Sequence, residues 1–319
     1  MDSTPLFWTE AYWMRAVDAE KACFSASSEA GDTLYFQQVN GNSLVPGPAS
    51  FGGWWPGEHR SGDTDYYRGL YLALFSLFPS SIWSVSLPPL YFEEPIFSPQ
   101  RSALQSLASE TVADSDSVVT RTATDHATQI DLLPKSKAQR MRAFTRRGGT
   151  VREAASAERP EVYRLLLDNR RRRGVDLSIT LALFLQTLED CPNTHKCWVA
   201  TSGGNLVGGA FTIETSETTT QVTYWGDSLE GRRLSTVTAI YGYLLQRLFS
   251  LGKTHLDLGK SSVDGVLDVG LSRFKEELGA THSIQQTYVI SPAATKDFGS
   301  EEKEAPPTIR SARYPNHSS

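Results

Sequence analysis

Residues 254–290 read THLDLGKSSVDGVLDVGLSRFKEELGATHSIQQTYVI, and this run decides the fold class. Thr254–Leu258 is a strand pattern that stops at Gly259. Leu267, Leu271, Phe274 and Leu278 then recur at helical spacing, and Gly279 supplies the stop. His282–Ile290 returns to a strand pattern. Upstream, Lys196–Ala200 and Leu206–Ile213 read as strands joined by the turn Ser202-Gly203-Gly204-Asn205, and Gln221–Trp225 reads as a third. Ser235 can cap a helix to Ser250 whose face is Val237, Ile240, Tyr241, Leu244, Leu245 and Leu248, with Gly252 after it. Glu161–Arg173 and Leu181–Leu188 precede the strands as helices. The order α-α-β-β-β-α-β-α-β is a three-strand meander followed by alternation, which requires an α/β (α+β) mixed sheet.

The first half is less regular. Thr9 can cap a helix to about Ala22, with Trp8, Tyr12, Ala16, Ala19 and Cys23 on its buried face. Thr33–Val39 reads as a strand, Tyr66–Phe78 as a helix, Ile82–Leu87 as a strand, Ser102–Ser109 as a helix and His126–Leu132 as a strand. Asn40–Gly57, which contains Pro46-Gly47-Pro48-Ala49-Ser50-Phe51-Gly52-Gly53, reads as a loop with unusual dihedrals or close backbone approach to a ligand. Ser136 can cap a basic helix Lys137–Arg147, stopped by Gly148-Gly149. The expected organisation is an N-terminal domain over 1–134, a basic connecting helix over 135–149, a C-terminal domain over 150–295, and a mobile or strapping tail over 296–319.

Charge follows these divisions. Residues 1–134 carry 6 Lys+Arg against 16 Asp+Glu, whereas residues 135–173 carry 13 against 4. A basic segment in a chain of net charge −5 suggests an anionic ligand there, or a solvated helix face that pairs with the acidic half. Three cysteines, Cys23, Cys191 and Cys197, make no disulfide framework, and with His195 they fall short of a metal-ligand pattern, so no metal is expected. The N-terminal residues lack a basic run followed by an apolar core, and no apolar stretch approaches the ~20 residues of a membrane span. A soluble, cytoplasmic protein is the expectation.

Three stretches carry a resemblance. One is Leu256-Asp257-Leu258-Gly259-Lys260-Ser261-Ser262 with Gly270-Leu271-Ser272-Arg273-Phe274-Lys275-Glu276-Glu277-Leu278-Gly279-Ala280 and Tyr288. The second is Ser136-Lys137 through Arg147-Gly148 with Arg172-Arg173-Gly174, and the third is the Pro48–Gly53 loop. Together they resemble the Fem-type (FemABX-like) peptidyltransferases, a tandem-domain branch of the GNAT acyltransferase superfamily. The resemblance implies two tandem GNAT-like domains, with acceptor binding in the first and catalysis in the second. It also implies transfer of an aminoacyl group from aminoacyl-tRNA, as co-substrate, to an amine of a cell-wall precursor or natural-product intermediate. The long helical-hairpin insertion of some members has no room here.

Amide formation by amine attack needs a neutral amine and fixed donors for the tetrahedral oxyanion. The resemblance places the family's active-site Phe-Lys pair at Phe274 and Lys275, making Lys275 the candidate cation; the plain alternative is a solvated lysine beside a core ring. Ser261, with Gly259 allowing close approach, can donate to an oxyanion or phosphate, or cap a turn. Tyr224 and Trp225 can wall an acyl pocket or pack a core. Gly52 and Gly53 are acceptor-binding candidates by resemblance. The loop Gly231-Arg232-Arg233-Leu234-Ser235-Thr236-Val237-Thr238 lacks the glycines that cradle a CoA pyrophosphate, although Arg232 and Arg233 can meet phosphate by side chain. Arg140, Arg146, Arg147, Arg172 and Arg173 suit a tRNA acceptor stem or form a solvated face. Three classes therefore compete: an aminoacyl-tRNA-dependent transferase, an acetyl- or acyl-CoA-dependent N-acyltransferase, and a non-catalytic binding protein on the same fold.

Overall fold

The computed structural model describes residues 5–9, 12, 13, 22–46, 49–56, 63–92 and 96–292, and the backbone of 309–313. In chain order the elements are β1 (Ala22–Ser28), β2 (Thr33–Val39), β3 (Asn42–Val45), α1 (Thr64–Ser76), β4 (Trp83–Ser86), α2 (Phe97–Leu107) and β5 (Glu110–Thr120). There follow α3 (His126–Asp131), α4 (Lys135–Arg146), β6 (Thr150–Glu153), α5 (Arg159–Arg171), α6 (Leu181–Asp190), β7 (His195–Ser202), β8 (Asn205–Glu214) and β9 (Thr219–Asp227). The last are α7 (Leu229–Leu234), α8 (Thr236–Ser250), β10 (His255–Lys260), β11 (Ser262–Val263), β12 (Val266–Leu267), α9 (Val269–Glu276), β13 (Thr281–Ile290) and β14 (Ile309–Arg313).

The chain divides into two compact units that do not follow one cut. The first comprises Phe7–Ser115, Ser262–Val266 and Ser283–Ser319; the second comprises Met1–Leu6, Asp116–Ser261 and Leu267–His282. Strands β5 and β13 each belong partly to both. Residues 116–134, expected in the N-terminal domain, therefore lie in the second unit, because β5 pairs with β10 there. The expected connecting segment 135–149 is α4 and its end, inside the same unit.

In the first unit the strands run β14-β1-β2-β3-β4-β13, antiparallel except for the parallel β3–β4 pair. Residues 309–313 of the expected tail are the strand on β1. The core is aromatic, with Phe36, Trp54, Tyr67, Tyr71 and Trp83 fully buried. Gln100 ties the Trp54 backbone at both ends, accepting from its N–H at 2.9 Å and donating to its carbonyl at 2.8 Å.

In the second unit the order is β5-β10-β9-β8-β7-β6, with β9 and β10 the parallel pair. The helix α8 buries Ile240, Tyr241, Leu244, Leu245 and Leu248 in a core that includes Val207, Val222 and Leu256. Neighbouring Gly208 and Gly209 face opposite sides of the sheet. A Cβ at Gly208 would meet Thr236 at 2.5 Å and one at Gly209 would meet Val162 at 2.6 Å, so α8 and α5 close on the two faces of β8. Replacing either hydrogen by a methyl group would push a helix off the sheet.

The predicted order of the second half is present, with β6, α7 and the short strands β11 and β12 added. Four local expectations are corrected. His126–Leu132 is not a strand but contains α3, because the Asp125 carboxylate accepts from Thr128 N–H at 2.9 Å and caps a helix there. Ser136 does not cap α4, which starts at Lys135 behind Pro134. Ser235 is left-handed (φ 59°) and caps nothing with its side chain. The Asn40–Gly57 loop contains β3. The helix expected over Thr9–Ala22 falls largely outside the described residues, and Cys23 lies in β1. Among the described residues no helix is long and apolar enough to cross a membrane.

Candidate functional site

The second unit contains a place where two adjacent strands part. β9 and β10 pair over Thr219–Gln221 and His255–Asp257, and the register ends there. β9 continues on β8 to Asp227. Both strands are bulged just past the last pair. On β9, Val222 opposes Thr212 and Tyr224 opposes Phe211, so Thr223 is the extra residue. On β10, Asp257 opposes Val118 and Lys260 opposes Asp116, one residue too many, and Gly259 takes φ +75°. A bulge bends its strand and increases local twist, so two at one level separate the pair. The result is a stretch of β9, Val222–Asp227, beyond the β10 ladder. Thr223 Oγ1 is buried there without a hydrogen-bond partner.

The turn at the end of β10 is held from both sides. Gly259 N–H donates to Asp257 Oδ1 at 2.6 Å, and Lys275 Nζ donates to the carbonyls of Gly259 at 2.6 Å and Lys260 at 2.8 Å. Lys275 reaches the turn because Asp268 caps α9, accepting from Leu271 N–H at 2.9 Å, while Asp268 N–H donates to Ser261 O at 2.8 Å. Asp257 Oδ2 accepts from Gln221 Nε2 at 2.6 Å, which links the turn to the last paired residue of β9. Ser261 Oγ and Ser117 Oγ share a hydrogen bond at 2.8 Å, and Ser117 N–H donates to Asp116 Oδ1.

This cluster is 2% exposed at Lys275, 2% at Asp116 and 0% at Asp257. Burial, and then the neighbouring Asp257 charge, push the Asp116 carboxyl well above the usual carboxylate range. A hydrogen bond between the Asp116 and Asp257 side chains acts in the same direction. Burial lowers the Lys275 ammonium to about 8, with Asp116, Asp257 and Asp268 acting against it. The Lys275 ammonium thus offsets part of the carboxylate charge that burial concentrates here.

The structure gathers Lys275, Ser261 and Gly259 into this cluster. Phe274, one residue from Lys275, is half-buried beside Trp225 with ring centroids 6.1 Å apart. The Lys137 ammonium lies 4.6 Å from the Phe274 ring and 2.9 Å from Glu277. Tyr224 stacks on Phe211, takes a hydrogen bond with Ser178, and carries the Arg170 guanidinium at 5.6 Å. The arginine candidates divide. Arg172 and Asn169 donate to the Asp227 carbonyl and so hold the far end of β9. Arg232 lies 3.9 Å from Asp227, whose carboxyl is raised by burial against the pull of Arg232, Arg172 and Arg173. Arg233 on α7, Arg173, and Arg140, Arg146 and Arg147 at α4 are exposed. Gly52 and Gly53 lie in the first unit and are buried among protein groups: Gly52 N–H donates to Ser86 O at 2.8 Å, Gly53 O accepts from Trp8 Nε1 at 2.8 Å, and a Cβ on Gly53 would meet Leu87 at 2.7 Å.

Asp116, Ser117 and Gln221 are site residues that the sequence did not single out, whereas Thr223 opens the stretch Thr223–Gly226 that the resemblance places at the cleft. Asp116 and Ser117 sit on β5, where Glu, Asp and Ser mask the strand; the alternation Val112, Asp114, Asp116, Val118 was the available signal. Among the described residues no group of three or more His, Cys, Asp or Glu is placed to hold a metal ion.

No protein-family model matches the sequence, and no curated protein matches it. Solved structures do. The crystal structure of FemX superposes with a TM-score of 0.64 at 9% identity, over 93% of this chain and 95% of that one. The C-terminal domain of a protein assigned as lysylphosphatidylglycerol synthetase from Agrobacterium fabrum gives 0.59 at 12% identity, over 92% and 94%. L-PGS from Bacillus licheniformis gives 0.53 at 16% identity, over 83% of each chain. With its two units and mixed α/β sheets, the chain has the fold of FemX and of these synthetase structures.

Proposed function

We propose that this protein is an N-acyltransferase that moves an aminoacyl group from aminoacyl-tRNA to an amine of a small-molecule or cell-wall-type precursor. The observation that carries the reading is the doubly bulged parting of β9 and β10. An unladdered main-chain edge presents fixed N–H donors, which is what an acyl carbonyl needs as it becomes an oxyanion. The amine nitrogen attacks the ester carbonyl. The N–C bond forms, the C–O bond to the tRNA ribose breaks, and the proton lost by nitrogen passes to the departing ribose oxygen. An α-amino acceptor, with an ordinary pKa of about 7.7–8.0, is partly neutral near pH 7 and needs no strong base. Lys275 serves by holding the Gly259–Lys260 turn that forms one lip of the gap; Phe274 and Trp225 line its approach.

The tRNA donor is favoured over CoA by the start of α8. Ser235, Thr236 and Val237 stand where a pyrophosphate cradle needs small residues, and the Thr236 side chain is wedged against Gly208. The exposed Arg140, Arg146, Arg147, Arg173 and Arg233 supply phosphate contacts. The first unit is assigned the acceptor, and the reaction needs no metal or prosthetic group.

The test offers purified protein radiolabelled bulk aminoacyl-tRNA, and separately labelled acetyl-CoA, with a small-molecule cell extract as the acceptor pool. RNase-sensitive label transfer, lost in Lys275→Met, is expected. Transfer from the thioester alone would reassign the protein as a CoA-dependent N-acyltransferase. Saturable binding of acceptor with no turnover from either donor would make it a binding protein.

A further inference from the structure

On the other side of α8 from these chemical groups, the second unit holds a cavity of about 510 Å³ that the acyl-transfer reading does not use. Its lining comes from α3, α4, β6 and α8, with no residue of β9, β10 or α9. The floor is apolar: Ile130, Ala138, Met141, Phe144, Val151 and Ala239. Two glycines shape it. A Cβ on Gly242 would meet Met141 Sδ at 2.9 Å, and one on Gly149 would meet the Phe144 ring at 2.5 Å. These side chains thus sit as far back as the backbone allows. The volume falls in the range of small-molecule pockets, and at about 30 Å³ per water-sized unit it accommodates on the order of 17 heavy atoms.

The mouth is polar and biased in charge. Arg142, Thr145 and Gln246 line it and are exposed. Helix α4 and the residue after it carry the exposed Lys135, Arg140, Arg142, Arg146 and Arg147 and no Asp or Glu, while Lys137 is buried and paired with Glu277. Opposing them is Asp131, which meets Arg142 at 3.4 Å with both side chains about two-thirds exposed. An exposed contact of this kind is weak, so the guanidinium can turn to an incoming carboxylate and bind it in bidentate fashion. His126 at the rim already lies 3.2 Å from the Gly242 carbonyl and is occupied there.

We propose that this cavity is a binding site for a monoanionic amphiphile, an apolar chain or ring system of about a dozen heavy atoms bearing one carboxylate, with the apolar body on the Ile130–Phe144–Ala239 floor and the carboxylate on Arg142. The site is separate from the β9–β10 gap, so occupancy and acyl transfer can be measured independently.

The test is isothermal titration of the full chain with sodium decanoate and with 1-decanol. Saturable one-site decanoate binding is expected, at least tenfold tighter than decanol. Arg142→Ala should weaken decanoate about tenfold and leave decanol unchanged. Ala239→Phe, which fills the floor, should abolish both. Because Ala239 lies in the core, Thr145→Trp provides a second block from an exposed position and should also abolish both. No saturable binding, or binding that neither Ala239→Phe nor Thr145→Trp diminishes, would overturn the site. Equal affinity for decanol and decanoate, with Arg142→Ala silent, would overturn the assignment of an anionic ligand.

Discussion

Two buried lysines hold the two ends of the β9–β10 pair, and they do so differently. At the paired end, Lys253 Nζ donates to the Ser216 carbonyl at 2.7 Å and forms an ion pair with Glu214 at 2.8 Å. The main chain closes around it, with Thr254 and His255 N–H both donating to Thr218 O at 3.0 Å. At the parting end, Lys275 Nζ donates to two turn carbonyls, but it faces three carboxyls, and the turn it holds contains a left-handed glycine. One lysine seals a ladder with a single opposite charge. The other holds the bulged turn where the ladder has ended, among several acidic groups.

The largest effect is expected from exchanging the lysines for methionine. Breaking a buried ion pair by removing one partner costs about 3–5 kcal/mol, so Lys253→Met and Lys275→Met should lose comparable stability in urea unfolding. Transfer activity per folded molecule should fall by about 10²-fold in Lys275→Met and stay near wild type in Lys253→Met, since a small displacement of the turn misplaces the reacting groups. Equal activity loss in both would erase the distinction between the ends.

A smaller effect separates two glycines. Gly259 (φ +75°) and Gly252 (φ +70°) are both left-handed, and an added Cβ meets only Val222 O at 3.6 Å in the first case and nothing within 4 Å in the second. Alanine at either site should cost about 1–2 kcal/mol. Only Gly259→Ala should reduce kcat, on the order of tenfold, measured as initial transfer rate at saturating donor.

Asp116→Asn should have the smallest effect at acid pH, because the amide keeps the shape and a donor. Its signature is pH dependence. The folded-state pKa of Asp116 is raised, so its stabilising contribution is complete below the unfolded value near 3.8 and is lost as pH rises towards the folded value. Stability of Asp116→Asn relative to wild type should therefore increase from pH 4 upward in a urea series. A flat difference would mean that Asp116 is ionised in the folded state. A control lies elsewhere in the second unit: burial lowers the His195 imidazole from 6.5 to about 4, so its contribution is complete above pH 6.5 and is lost as pH falls through 4. That amounts to about 3 kcal/mol, and His195→Asn should remove it without altering the response to Asp116→Asn.

The sequence made the second unit legible where period and punctuation agreed. Gly252 and Gly279 each follow a helix at positive φ, as their positions after Leu248 and Leu278 imply. It misread His126–Leu132, where a single Asp125 cap outweighed the alternation. It passed over β5, whose inward positions hold Asp and Ser instead of Val or Ile, because that strand builds a polar site. For the candidate site, Lys275, Ser261 and Gly259 were named from a resemblance carried by one short stretch of chain, and the structure brings them together. Asp116 and Gln221 were not named, because they join that cluster only through strand pairing. Local patterns also did not show that Arg172 is engaged by the Asp227 carbonyl, or that Gly52 and Gly53 are packed by the protein's own groups.

The interleaving of the two units sets an order of events at the ribosome. The first unit needs β13, which pairs with β4 through Thr287–Ile290, yet its main segment, Phe7–Ser115, ends long before. At roughly 5–20 residues per second, the intervening stretch of about 170 residues takes on the order of 10–30 s to synthesise. For that interval β4 carries an unfilled edge of the kind that recruits foreign strands.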